Sequence, residues 1–582
     1  FKESDQTELQ LRLIEAANEM PILGPNCYGF LNYIDNVCLW PDQHGGQPVE
    51  SGVAIIAQSS NISINMTMQQ RSLSLAYLFT LGNQAQIGVS RVAQEMIENP
   101  KVNAIGLYLE GVDDLRDFEA VAQQARAAGK PVVVLKIGKT VKARAATVSH
   151  TASLAGGSRA SSALLRRLGM VEVDSISEFL ETLKLLNGLG PLPGAAVSSV
   201  SCSGGEASLM SDLAAGSSIV FRDFTGEQLE RLAEVLGPRV ELANPLDYHT
   251  YVWGDVPTMT RCFEAVMQSG FDLNVFVLDI PRADLCDSAG HECAIESIIA
   301  ARQTTGARAA VLAMMPENLD EETSQRFLDA GAIPLHGMQT GLAAIDAAIR
   351  AGELSRAELN REPVLLQKDQ HNGDGNVISE YQAKQLLAKS GLQVPASHFV
   401  NDKRALLHDD HGLRYPLALK GQGVAHKTES GVVRLGIDSA ESLEQAVAEI
   451  PECADGYLLE EMIEDVVAEL LLGVSFDATG VCMLTIGAGG ILAELLDDTV
   501  QLLLPATRDE ILIALQSLKV ASLLNGYRGK PAADIDQLLD AIFAVGNYAI
   551  QNHDTLKELD INPLMAGAQQ SIAADALIAL RS

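Results

Sequence analysis

Apolar residues fall into short, nearly continuous runs at 53–57, 75–81, 104–109 and 132–137, separated by amphipathic stretches. Runs of this length bounded by turn formers read as buried strands, and their alternation with helical periodicity predicts a parallel sheet covered by helices. The stretch 113–128 reads as the helix joining the run that ends at Leu109 to the one that begins at Pro131, long enough for a crossover. Ahead of these, 8–18 reads as a helix. The alternation resumes from 195 to 352, opening on a strand at 197–202. Periodicity then stops. The cluster Asp369-Gln370-His371-Asn372-Gly373-Asp374-Gly375 carries turn formers, and 353–376 is read as a linker. Beyond it Ser379-Glu380 opens a helix through Leu387, and strands are expected at 416–420, at 457–463 and from Glu469.

A chain of 582 residues exceeds one core, and about 100–200 residues per domain suggests three to five domains. Hydrophobic residues at 47% and charged residues at 20% describe an ordinary soluble globular protein. The formal net charge of −33 argues against a nucleic-acid surface, so an anionic substrate must find local cations or helix N-termini. The 8 cysteines show no CxxC pair or regular ladder, which argues against a zinc site or disulfide framework and fits a reducing cytoplasm. No apolar run reaches the ~20 residues of a membrane span, and no export signal is apparent. The chain opens on Phe1 inside an expected helix, so it is read as beginning partway through a domain.

Candidate chemistry centres on Ser149-His150-Thr151-Ala152-Ser153-Leu154-Ala155-Gly156-Gly157, which follows the run 132–137 and a basic turn of Lys136, Lys139, Lys142 and Arg144. An imidazole titrating near neutral pH can attack a phosphoryl group, and small neighbours allow phosphate and backbone N–H groups to approach. A lone histidine before a helix is more often a cap or a polar loop residue, so the reading needs partners. Glu110 ends the run 104–109 at the sheet edge from which the His150 loop emerges, and ligands bind at the carboxyl ends of such strands. A carboxylate on one ring nitrogen would fix the tautomer and leave the other free to attack; the plainer reading is that Glu110 caps the helix at Asp113. Ser59-Ser60-Asn61 follows the first strand and starts a helix, where backbone donors can hold a phosphate or carboxylate.

In the C-terminal part, Lys420 ends a strand before a glycine-containing loop and is the candidate for a nucleotide phosphate, where an ammonium supplies a point charge. In Glu558-Leu559-Asp560-Ile561-Asn562-Pro563-Leu564, alternation puts Asp560 and Asn562 on one face, and Asp575 in the next strand-like segment could complete an oxygen cage. Mg²⁺ takes hard oxygen ligands and keeps several waters, so Asn562 and Asp575 are the metal candidates.

Several of these segments together resemble the NDP-forming (ADP-forming) acyl-CoA synthetases of the succinyl-CoA synthetase superfamily. Leu23-Gly24-Pro25-Asn26-Cys27-Tyr28-Gly29-Phe30-Leu31-Asn32 is similar to the close of a Rossmann-like CoA-binding domain. Tyr108-Leu109-Glu110-Gly111 and Ser149-His150-Thr151 resemble the family's glutamate and phosphohistidine motifs. Leu81-Gly82-Asn83, Ser203-Gly204-Gly205-Glu206 and Asn244-Pro245-Leu246-Asp247 match further turns, the last two read as interdomain packing. Asn61 stands where the family has glycine. From Ser379 onward the chain resembles an ATP-grasp domain. His426 corresponds to a second, relaying histidine. Tyr457 to Ile463 corresponds to the adenine-reading hinge with Glu460 or Glu461 near the ribose, followed by Glu469 and the turn Ile486-Gly487-Ala488-Gly489-Gly490-Ile491. Asp560 takes the place of a glutamate that steadies the histidine loop at the nucleotide.

The resemblance implies an α/β multidomain chain. Its parts are a CoA-domain remnant at 1–50, flavodoxin-like parallel-sheet domains at 51–190 and 191–352, the linker, and an α+β ATP-grasp domain at 377–582. It implies a cytoplasmic acid–CoA ligase using ATP/ADP, Mg²⁺, CoA and a small carboxylic acid, working through phosphohistidine and acyl phosphate and assembled as a homo-oligomer. The alternative is a catalytically silent acyl-CoA- or nucleotide-binding regulator, or the ligase-like part of a protein acetyltransferase.

Overall fold

The computed structural model describes residues 3–140, 142, 158–360, 362–367, 375–408, 411–423, 431–453, 455–477, 480–490, 498–529 and 531–581. The chain divides into two compact units, Phe1–Leu359 and Asn360–Ser582.

In the first unit, β1 (Phe30–Asn32), β2 (Val37–Leu39), β3 (Gly52–Ala57), β4 (Leu75–Thr80), β5 (Val102–Leu109), β6 (Val132–Lys136) and β7 (Val171–Val173) form one sheet, ordered β2-β1-β4-β3-β5-β6-β7. β3 to β7 pair in parallel, while β1 adds antiparallel to β4. Every residue of β3 is buried because helices cover both faces. Val53 and Ile55 face a core with Phe179 and Leu183, whereas Ala54 and Ile56 face one with Val92 and Phe118. A second sheet takes β8 (Val197–Ser201), β9 (Leu246–Asp247), β10 (Leu273–Val277), β11 (Ala309–Ala313) and β12 (Ala332–His336) in the all-parallel order β12-β11-β10-β8-β9. Counted from the first parallel strand, both sheets have the doubly wound order 2-1-3-4-5, which places a binding crevice between β3 and β5 and another between β8 and β10.

Helix Ile176–Leu189 serves both sheets: Phe179 and Leu183 lie over Gly106 of β5, and Gly188 lies against Ile333 of β12. The boundaries expected at 50 and 190 therefore fall inside one unit. β1 and β2, within the expected segment 1–50, pair onto the edge of the first sheet, and the second sheet shares a helix with the first. The helix expected from Asp113 starts at Leu115, with Asp114 accepting from the N–H groups of Arg116 and Asp117. That removes the capping role considered for Glu110.

The second unit contains β13 (Asn376–Val377), β14 (Ser397–Val400), β15 (Leu417–Gly421), β16 (Val433–Ile437), β17 (Tyr457–Glu461), β18 (Ala468–Phe476), β19 (Cys482–Ala488), β20 (Thr499–Leu503), β21 (Leu556–Ala566), β22 (Ser571–Ala573) and β23 (Leu577–Leu580). One sheet runs β13-β23-β21-β18-β19-β20 with β22 on β21, the other β14-β17-β15-β16, and the pairing in both is antiparallel. Helix Ile535–Gln551 buries Leu538, Ile542 and Val545 in the core of the larger sheet.

The linker expected at 353–376 is largely structured. Helix Met338–Arg356 continues into it. Leu365 N donates to Leu504 O (2.7 Å), Gln367 N donates to Gly480 O (2.9 Å), and Leu366 bridges Val481. Turn-forming composition does not reveal such pairing, because single backbone bonds to a distant strand need no side-chain periodicity.

Candidate active site

The turns singled out near the first sheet converge on its carboxyl edge. Ser59 caps helix Ser60–Thr67, its hydroxyl accepting from Ile62 N. Ser60 Oγ accepts from Tyr28 N at 3.1 Å, and Thr80 Oγ1 accepts from Tyr28 N and Gly29 N at 3.0 and 2.9 Å. The hydroxyls of Ser59 and Ser60 thus organise the turn itself, while Asn61 is exposed in the first helical turn. Gly82 (φ +50°) lies against the carbonyls of Pro25 and Asn26, where a Cβ has no room. The segments 23–32, 59–61 and 81–83 are one constellation.

Glu110 stands across the crevice, half-buried after β5. Its turn is held from both neighbouring strands. Gln58, which ends the β3 run and is 5% exposed, accepts from Glu110 N and from Gly111 N (3.0 Å) and donates to Gly111 O (2.6 Å). Lys136 of β6 donates to Glu110 O (2.7 Å) and Ile137 O (2.5 Å). The expected basic turn is therefore engaged in structure: Lys136 is buried, and Lys139 pairs with Glu172 and Asp174. His150 and Arg144 lie outside the described residues.

On the second sheet, Glu206 follows β8, Asp247 closes β9 and Asp279 follows β10. Burial, then Asp279 and Asp247, pushes the Glu206 carboxyl up to about 7. The turns 203–206 and 244–247 meet each other, Asp247 lying beside Gly204.

In the second unit, Lys420, the nucleotide-phosphate candidate, lies in β15 within a buried charged cluster. It bonds Glu380 Oε1 (2.8 Å), Glu460 Oε2 (2.9 Å) and Ala574 O (2.6 Å). Lys384 bonds both oxygens of Glu460 (2.7 and 2.9 Å) and also reaches Ala574 O (2.6 Å). Burial lowers the Lys420 pKa, but Glu380, Glu460 and Asp575 outweigh it and leave the ammonium well above its ordinary range. Glu460, 2% exposed, faces these lysines, and Glu461 pairs with Arg414 (3.1 Å). His426 lies outside the described residues.

Along β21 Asp560 and Asn562 are partly exposed while Leu559 and Ile561 are buried, which puts the two polar residues on one face. β21 pairs with β22 in the register Leu564↔Ala573, and continuing it sets Asp575 across from Asn562. Asn562 Oδ1 accepts from Gly490 N (3.1 Å), and the Glu469 carboxylate lies directly over Gly490. Burial, Glu558 and Asp575 push the Asp560 carboxyl up to about 6. Among the described residues no three His, Cys, Asp or Glu side chains converge as a metal cage. An amide oxygen and a carboxylate amid excess negative charge nevertheless fit a hydrated Mg²⁺ bridging phosphates. Two contributors were not anticipated. Gln58 was detectable only as a polar residue ending an apolar strand, and Lys384 only as the i+4 partner of Glu380.

A family model of the succinyl-CoA ligase like flavodoxin domain matches residues 50–186, and an ATP-grasp domain model matches 370–580. A trans-feruloyl-CoA synthase from an unknown prokaryotic organism is 27% identical over 99% of this chain and 84% of its own. The ADP-forming acetate–CoA ligase I of Archaeoglobus fulgidus is 26% identical over 97% of this chain and 83% of its own. The solved acetyl-coenzyme A synthetase 1 of Candidatus Korarchaeum cryptofilum with phosphate and ADP shares the fold, with TM-score 0.52 and 21% identity over 61% of this chain and 76% of that one. The β subunit of the ADP-forming acetate–CoA ligase II of Pyrococcus furiosus is 30% identical over 35% of this chain and 91% of its own. With flavodoxin-like and ATP-grasp parts on one polypeptide and relatives that match 97–99% of it, the chain belongs to the ADP-forming acyl-CoA ligase family.

Proposed function

We propose that the protein is an acid–CoA ligase that converts a carboxylic acid, CoA and ATP into acyl-CoA, ADP and phosphate, reversibly. The observation that supports this most is the match of single-chain CoA ligases and a CoA synthase over 97–99% of the chain. The second unit takes the nucleotide, its γ-phosphoryl group passing through His426 to His150. A Mg²⁺ ion held by Asn562 and Asp575 would neutralise charge on the nucleotide phosphates. Asp560 steadies the His150 loop there, and Glu469 lines the same face. The loop then carries the phosphoryl group to the first sheet, where Glu110 holds the imidazole in one tautomer. The carboxylate, received at the helix N-terminus of Ser59, Ser60 and Asn61, takes the phosphoryl group. The CoA thiol attacks the acyl phosphate and phosphate leaves. A covalent carrier suits two separate sites because it keeps the acyl phosphate out of water.

Lys420 acts in this reading through the buried Glu380–Glu460–Lys384 group, fixing the strand beside the nucleotide. We place the enzyme in the cytoplasm as a homo-oligomer, to be sized by sedimentation; no helix among the described residues is long and apolar enough to cross a membrane. The central test is ³²P transfer from [γ-³²P]ATP: His150→Asn should confine label to His426 and block its discharge by CoA with acid, and the His150→Asn/His426→Asn double variant should take no label; a double variant labelled like the wild type would refute the assignment. ADP release with CoA and a panel of acids identifies the substrate.

A further inference from the structure

We propose that Gln58 is the positioning residue of the crevice, its amide holding the Glu110 turn in place against the helix that starts at Ser60. The inference rests on the functional reading above, in which Glu110 orients His150.

β3 and β5 are neighbours on either side of the point where strand order reverses, so the helix N-terminus after β3 and the turn after β5 form the two walls of the crevice. Gln58 is the last residue before the capping Ser59, and its side chain crosses to the opposite wall. There it satisfies two backbone donors and one acceptor, those of Glu110 N, Gly111 N and Gly111 O. Its own N–H donates to Tyr108 O (3.2 Å), so main chain and side chain both bind the end of β5. At 5% exposure no water replaces these bonds. An apolar residue of the same length would withdraw the amide from these three backbone groups, two of them in buried bonds, and the turn would move to reach other partners. Lys136 grips the same turn from the β6 side through Glu110 O and Ile137 O, immediately ahead of the segment that carries His150. The Glu110 backbone is thus held at both its N–H and its C=O by side chains from both flanking strands. A displacement of about 1 Å in such a group costs on the order of a hundredfold in rate.

The test separates the two ends of the reaction in the full chain. Gln58→Met should be labelled by [γ-³²P]ATP at nearly the wild-type rate, because labelling occurs at the nucleotide. Discharge of the labelled chain by CoA with acetate, 4-hydroxybutyrate or trans-ferulate should slow about a hundredfold. Glu110→Gln should slow the same step, and the double variant should be no slower than Glu110→Gln, since Gln58 acts through Glu110. Normal discharge in Gln58→Met beside slow discharge in Glu110→Gln overturns the inference. So does a loss of labelling and discharge together, or full additivity in the double variant, either of which marks a general structural role. If Gln58→Met does not fold, Lys136→Met releases the same turn from the other side: slow discharge with normal labelling supports the inference, and normal discharge overturns it. Discharge unaffected by Glu110→Gln, or a wild-type phosphoenzyme that none of the three acids discharges, refutes the functional reading itself.

Discussion

Asp560 carries an ionisation cost that its surroundings impose. Burial first, then Glu558 and Asp575, raises its carboxyl to about 6. The folded state therefore holds a proton more tightly than the unfolded chain, so its contribution favours folding at acid pH and is lost as pH rises from about 4 through 6. Because the side chain is partly exposed, Asp560→Asn should stabilise the protein by only about 1–2 kcal/mol at pH 7.5 and by almost nothing at pH 4. Urea unfolding at the two pH values checks this, and equal effects at both would refute the assignment. The opposite sign holds in the first unit, where Lys184 bonds Glu181 (2.8 Å), His336 Nδ1 (3.0 Å) and Arg71 O (2.8 Å). Arg71 also pairs with Glu181 (3.0 Å). Burial, then Lys184 and Arg71, lowers His336 to about 3, so the unfolded chain binds the extra proton between about pH 3 and 6.5. Stability should fall as pH drops through that window, and His336→Gln should flatten the slope in a thermal-midpoint series.

At the scale of elements, β21 and the glycine turn after β19 bring Asn562 and Glu469 to Gly490, and extending the β21–β22 register sets Asp575 across from Asn562. Asn562→Ala and Asp575→Asn should each raise the Mg²⁺ concentration needed for half-maximal ³²P labelling by about tenfold or more, with little effect on the unfolding midpoint. An unchanged Mg²⁺ requirement would move the metal elsewhere. At the first sheet, Ser59 caps its helix through Ile62 N. Ser59→Ala should cost about 1 kcal/mol of stability and loosen the acid site, read as a raised KM for the acid with labelling from ATP intact.

At the scale of the molecule, the chain divides between Leu359 and Asn360, and some relatives exist as separate subunits. The α and β subunits of an ADP-forming acetate–CoA ligase II in Pyrococcus furiosus match 58% and 35% of this chain. Polypeptides 1–359 and 360–582 should each unfold cooperatively, and mixing them should restore acid- and CoA-dependent ADP release that neither shows alone; folded halves that stay inactive on mixing would show that continuity of the chain is needed. Strand position was legible in the sequence because strands covered on both faces, such as β3 and β5, demand unbroken apolar runs. So was the face shared by Asp560 and Asn562, since alternation along one strand is a local property. Partnership was not legible. Periodicity cannot say that Gln58 reaches Gly111, that β1 and β2 complete a flavodoxin-like sheet, or that Lys420 faces Glu380 and Glu460 instead of open solvent. Those pairings join residues far apart in the chain, and they exist because polar groups buried by the packing of the sheets must find whichever partner the tertiary fold brings within reach.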